Sequence, residues 1–195
     1  MTRALLIVDI QLDYFPGGRN PLVEPDAAAA AAARLLAAWR DRGAPVVHVQ
    51  HVWDAPDAEF FQPGTPGIEI HPSVAPRDDE TLVTKTEPNA FLGTGLEAHL
   101  RGLAFGEDGR DDEPLELVVA GMMSSMCVDA TVRAAADLGF AVTVAHDACA
   151  APDLEFGGTR VPAAQVHAAF MAALGDGYAV VASADEILAT DTPLS

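Results

Sequence analysis

The chain has 195 residues, half of them apolar, and a formal net charge of −18. Its length fits a single domain over residues 1–195 with a buried core, and its apolar content excludes a disordered chain. The charge opposes nucleic-acid phosphates and anionic membrane surfaces, and no apolar run approaches the roughly 18 residues of a spanning helix.

In chain order, Ala4–Asp9 (ALLIVD) predicts a strand ending in an acid. Leu5–Ile10 is too short for a signal-peptide core, is interrupted by Asp9 and lacks a cleavage site, so the expected location is cytoplasmic. Asp26 is placed to cap an Ala-rich helix through about Arg40, closed by Gly43. Pro45–Val49 reads as a second strand. An irregular stretch from Trp53 to Asp79 follows, with five prolines and two glycines. Thr81–Thr84 predicts a third strand and Gly95–Leu103 a helix. The acidic segment Glu107–Glu113 (EDGRDDE) reads as a solvated loop. Leu115–Ala120 is a fourth strand, after which Ser124 or Ser125 is expected to cap a helix through Leu138. Ala141–Ala145 is a fifth strand, Pro162 opens a helix through Leu174, and Tyr178–Val181 is a sixth strand before a short helix at Asp185–Leu188.

Apolar strands alternating with helices are buried on both faces, the signature of a parallel sheet covered by helices. The expected fold is therefore α/β, a three-layer Rossmann-like sandwich whose mainly parallel six-stranded sheet carries helices on both faces. In such sheets, sites form beyond the carboxyl ends of strands. Three reactive side chains fall there: Asp9 after the first strand, Lys85 after the third, and Cys127 just past the fourth.

Lys85 is the one lysine among eleven basic residues. An ammonium on a flexible stem differs chemically from a guanidinium, so an arginine-biased chain that keeps one lysine suggests a need for it. Cys127 falls in a helix's first turn, where the dipole favours a thiolate; a nearby ammonium would help, and a carboxylate could take the thiol proton. A thiolate of that kind is expected to react with thiol probes well below neutral pH. The alternatives are a polar strand end for Asp9 and core packing for Cys127. Cys149 reads as a small buried hydrophobe, and two cysteines without a CxxC make no disulfide framework.

Three blocks carry a likeness: Ala4–Gly18 (ALLIVDIQLDYFPGG), Val83–Phe91 (VTKTEPNAF) and Gly121–Phe140 (GMMSSMCVDATVRAAADLGF). Together they resemble the isochorismatase-like cysteine hydrolases, which include nicotinamidases and N-carbamoylsarcosine amidase. The likeness runs from Ala4 to about Ile187, and the third block is the most specific. It implies a catalytic triad of Asp9, Lys85 and Cys127. It also implies a cis peptide between Met122 and Met123, with the backbone N–H groups of Met123 and Cys127 as an oxyanion hole.

Nicotinamidases bind a metal through an Asp-x-His pair and a further His. Here His51, Trp53 and Phe60 fall at about those places, so no metal and no cofactor is expected. His48 and His51 stand on opposite faces of a strand by alternation. His71 reads as a hydrogen-bonding loop residue, His99 and His167 as helix residues, and His146 as a strand end. Vinyl-ether-cleaving isochorismatases generally lack the nucleophilic cysteine, so hydrolysis of an amide-like C–N bond in a small molecule fits better. Isonitrile hydration, nitrile hydrolysis or a non-catalytic binding role stay open. Phe15, Trp53 and Phe91 are candidate pocket walls. The likeness, together with apolar Trp53, Phe60, Phe61 and Ile70 in the irregular stretch, suggests a homo-oligomer, dimer or tetramer; those side chains could instead fold inward as a lid.

Overall fold

The computed structural model describes residues 2–104 and 115–190; the segment Glu107–Glu113 lies outside them. The six strands of the main sheet are β1 (Arg3–Val8), β2 (Val46–His51), β3 (Thr81–Lys85), β4 (Glu116–Met122), β5 (Ala141–Ala150) and β8 (Val180–Ala182). All are parallel, in the order β3-β2-β1-β4-β5-β8. A small antiparallel hairpin, β6 (Leu154–Phe156) and β7 (Thr159–Val161), stands apart; it has no apolar run in the sequence to announce it.

Residue alternation along the strands divides the core in two. Leu5 and Ile7 of β1 join Val118 and Ala120 of β4 beneath helices α1 (Pro25–Asp41) and α5 (Ala184–Thr190). Leu6 and Val8 join Leu117 and Val119 beneath α2 (Leu96–Ala104), α3 (Asp129–Asp137) and α4 (Ala163–Gly175). This is the expected three-layer sandwich. Central β1 and β4 are buried almost throughout, whereas edge strand β3 alternates, with Leu82 exposed. Among the described residues no helix is long and apolar enough to cross a membrane.

Two caps differ from expectation. Glu24, in left-handed conformation, precedes α1 and Pro25 occupies its first position, so Pro25's preset φ starts the helix rather than an Asp26 side chain. After β4 the chain makes a single π turn (Ser124–Val128) before α3, and neither serine caps it. The Ser124 hydroxyl instead contacts the Ala150 carbonyl (3.1 Å) and His167 Nδ1 (2.9 Å). Strand β5 runs on to Ala150 through a register shift opposite β4, which puts His146 inside the strand rather than at its end.

Candidate active site

The sheet order reverses between β1 and β4, and in sheets of this kind clefts form at that point. Asp9 lies at the end of β1 on one side of it. Its φ of 51° turns the chain out of the strand, a conformation an aspartate tolerates better than most residues. Gly121 lies opposite, with φ 150°; a Cβ there would sit 2.1 Å from the Val8 carbonyl oxygen. Only glycine lets β4 close on β1 beside Asp9 and deliver the π turn that carries Cys127. The Met122–Met123 peptide ahead of that turn is cis.

Lys85 ends β3, two strands from Asp9, with β2 between them. Strands lie about 4.8 Å apart, so only a long side chain spans the gap. The Lys85 Nζ reaches 2.7 Å from Asp9 Oδ2 and 3.3 Å from Cys127 Sγ. All three residues are buried, with Cys127 3 % exposed. The structure thus brings Asp9, Lys85 and Cys127 into one cluster.

A fourth residue joins them. His51 pairs in register with Lys85 across β2 and β3. Its Nε2 lies 3.1 Å from the Thr86 carbonyl, which can only accept, so Nε2 carries the ring proton. Nδ1 is then a bare acceptor, 3.2 Å from Lys85 Nζ, 3.8 Å from Cys127 Sγ and 3.9 Å from Asp9 Oδ2. Burial, and then the Lys85 charge, lower the His51 pKa to about 4, so the ring is neutral. His48, on the opposite face as alternation requires, binds Glu80 instead.

The ammonium has three protons and three aligned acceptors: His51 Nδ1, Cys127 Sγ and the Glu87 carbonyl at 3.0 Å. Asp9 Oδ2, 2.7 Å from the ammonium, is held chiefly by charge, with the Lys85 and Cys127 side chains as its hydrogen-bonding neighbours. Burial raises the Asp9 pKa, and Lys85 only partly opposes it. Burial, then the Asp9 charge, also push the Cys127 thiol well up, and Lys85's opposing pull is smaller. These directions favour a thiol in the resting site, against the thiolate expected from its helix position. That expectation weighed the helix start and the lysine but not the desolvation of a nearly closed site.

Loops close the site from one side. The buried Asp13 carboxylate accepts from Phe61 N (2.6 Å) and Arg19 N (3.1 Å), and a Cβ on Gly67 would lie 2.2 Å from it. Gln11 binds the His51 backbone at both ends, accepting from its N–H (2.8 Å) and donating to its carbonyl (2.9 Å). Phe61 is fully buried, 4.7 Å from the Tyr14 ring and 5.8 Å from His51. The irregular stretch thus folds inward, and Phe61 is not available as an interface residue.

The three pocket candidates separate. Phe15 stacks on His71 at 4.1 Å and lines a cleft of about 530 Å³ with Pro16–Arg19 and Gly64–Gly67. Trp53 packs edge-on against Phe60 at 5.2 Å, and Phe91 stacks on Phe140 at 6.1 Å. His71 is a loop residue bound to Ser73, as read from the sequence. Cys149 is buried, its thiol raised to about 12 chiefly by desolvation.

Sequence reasoning placed His51 at a strand end but gave it no part in the cluster. Its place just past the predicted second strand, on the rim that carries Asp9 and Lys85, was the available signal. Tyr14 was also missed. It is buried beside the site, and desolvation, then the charges of Cys127, Asp9 and Asp13, hold its phenol protonated.

A parallel α/β sandwich with an acid, an ammonium and a thiol at its switch point defines a class, the cysteine hydrolases of α/β type. The isochorismatase domain model matches residues 3–186, and the chain belongs to that family. It is a hydrolase. It is 48 % identical to the isochorismatase family protein YddQ of Bacillus subtilis (strain 168), over 96 % of this chain and 99 % of that one. Streptothricin hydrolase of Streptomyces noursei is 37 % identical over 99 % of this chain and 67 % of its own length. Nicotinamidase of Escherichia coli (strain K12) is 28 % identical over 75 % and 82 %. The crystal structure of an isochorismatase-type hydrolase from Oleispira antarctica superposes with a TM-score of 0.86, at 51 % identity and 96 % coverage of both chains.

Proposed function

We propose that the protein cleaves an amide-like C–N bond of a small molecule through a thioester on Cys127, needing no cofactor, and works as a homo-oligomer. The observation that carries this reading is the buried Asp9–Lys85–Cys127 cluster, in which one ammonium lies 2.7 Å from the carboxylate and 3.3 Å from the sulfur. Relatives named nicotinamidase and streptothricin hydrolase support C–N chemistry. Two unpaired buried thiols suit a reducing, cytoplasmic setting.

The steps follow from that geometry. Arrival of substrate displaces water, and Asp9 takes the thiol proton as Cys127 attacks the carbonyl carbon. The Lys85 ammonium offsets the charge that builds on sulfur. The N–H groups of Met123 and Cys127 are assigned to the tetrahedral oxygen, where such donors are worth about 3 kcal/mol. Protonated Asp9 gives its proton to the leaving nitrogen as the C–N bond breaks. A water that Asp9 deprotonates then attacks the thioester, and the thiol is restored. His51 keeps Lys85 aimed by accepting one of its protons. Phe15, Trp53 and Phe91 remain the candidate aromatic walls; the cleft that Phe15 lines does not include Asp9, Lys85 or Cys127.

A screen of small amides and ureas for ammonia release tests the reading. On the substrate found, Cys127→Ala should lose at least about 10³-fold in kcat with its unfolding midpoint nearly unchanged, because a small buried thiol contributes little packing. Mass spectrometry of wild type quenched in turnover should show an acyl adduct on Cys127. Retained turnover in Cys127→Ala would sink the covalent route.

A further inference from the structure

Asp9, His51 and Cys127 each direct one donor atom at the Lys85 ammonium, and these three atoms all lie within 4.8 Å of one another. The ammonium sits among them, at 2.7, 3.2 and 3.3 Å. One thiol sulfur, one imidazole nitrogen and one carboxylate oxygen make a donor set that suits a borderline-soft divalent cation such as Zn²⁺. At ordinary zinc bond lengths, tetrahedral ligand atoms stand about 3.3–3.8 Å apart. Here sulfur and nitrogen are 3.8 Å apart, and nitrogen and oxygen 3.9 Å. The third edge, sulfur to oxygen, is within 4.8 Å, so closing the triangle round an ion takes a contraction of up to about 1 Å along it. The ring is already in the right tautomer, because the Thr86 carbonyl holds the Nε2 proton and leaves Nδ1 bare, as outer partners of metal-bound histidines do.

We propose that Asp9, His51 and Cys127 form a zinc site for which Lys85 is the resident cation, so that Zn²⁺ inhibits the enzyme reversibly by displacing the ammonium. At rest the ammonium faces the Asp9 carboxylate and a neutral thiol. Zn²⁺ binding releases the thiol proton to solvent and moves the ammonium out of the donor triangle, and the ion's two charges then face one thiolate and one carboxylate. The ammonium stays on the chain, so the site as a whole gains one positive charge. Lys85 keeps the Glu87 carbonyl, 3.0 Å away, as an acceptor outside the triangle. The site uses the residues assigned above to catalysis, but it needs only their donor atoms.

The test reads metal directly and needs no substrate, so it stands or falls apart from the amidase reading. Lys85→Ala vacates the central position and leaves the Asp9 carboxyl without its cation. It should bind one Zn²⁺ per chain at least about tenfold more tightly than wild type, measured by competition with a chromophoric chelator. With Co²⁺ it should show a near-ultraviolet thiolate-to-metal band. Adding Cys127→Ser to Lys85→Ala should abolish the band and weaken zinc by at least about tenfold. If Lys85→Ala binds no more tightly than wild type, or the double variant binds as well as the single one, the site is wrong. The wild-type chain gives a second test that needs no change at Lys85. Zn²⁺ should slow iodoacetamide labelling of Cys127, read by peptide mapping, and a chelator should restore it. His51→Leu should require about tenfold more zinc for the same protection. Labelling that ignores zinc, or protection unchanged in His51→Leu, overturns the proposal.

Discussion

At the scale of single residues, the Asp9 carboxyl and the Lys85 ammonium behave as one unit, and each yields a prediction. Asp9 must be ionised to take the thiol proton, and burial raises its pKa above 3.8 despite Lys85. Activity should therefore fall as pH drops through that raised value. The acid limb of kcat/KM should lie above the ordinary carboxylate range of about 3.9. His51 is neutral above about 4 and contributes no charge to the site at working pH. A limb at or below 3.8 would remove Asp9 from the base role. Lys85→Arg keeps the charge but places a planar fork among acceptors arranged around a compact ammonium. The variant should lose at least about 10²-fold in kcat, and near-normal turnover would mean that charge alone is required. Lys85 spans two strands to reach Asp9, so the length of its side chain is part of its function.

At the scale of elements, Glu80 ties α1 to the sheet just ahead of β3. Its carboxylate takes two hydrogen bonds from Arg40 (2.6 and 2.7 Å), and it meets His48 Nε2 of β2 at 2.9 Å. Arg40 is the chief reason its pKa falls to about 2 from 4.5. A depressed carboxylate stabilises the fold above its unfolded pKa, and that contribution fades as pH drops from 4.5 towards 2. Glu80→Gln should cost about 2 kcal/mol in urea unfolding at pH 7, and its gap to wild type should close across that acid window. A gap independent of pH would assign the loss to packing instead. Asp13 does a comparable job for loops, holding Phe61 N and Arg19 N while Gly67 packs against its carboxyl group. These ties were invisible in sequence because they join residues 40 and 80, or 13 and 61, whose distance along the chain says nothing of their contact.

For the whole molecule, the inward fold of the Trp53–Ile70 stretch changes what a mutant there should do. Phe61 lies in the core between Tyr14 and His51. Phe61→Ala should lower stability by about 3–5 kcal/mol with no change of mass. For the proposed homo-oligomer, the exposed apolar side chains Leu92, Met126 and Phe156, the last 87 % exposed on the β6–β7 hairpin, are the candidate contacts. Light scattering should give one species larger than a monomer, and Phe156→Asp should reduce its mass. A monomer at micromolar concentration would end the oligomer proposal.

Hydrophobic patterning along the chain was enough to determine the parallel sandwich, because a strand buried on both faces must be apolar on both. It also placed Asp9, Lys85 and Cys127 on one rim, because each follows a strand. Periodicity carries no information about register, side-chain reach or desolvation, and those were decided by the tertiary structure. Register set His51 beside Lys85. The close approach allowed by Gly121 brought the Cys127 turn to Asp9. Burial then opposes the thiolate, since a charge favoured at an open helix start is disfavoured where water is excluded and a carboxylate stands alongside. A local pattern names the groups that can react; their charge states depend on a dielectric and on neighbours that only the folded chain supplies.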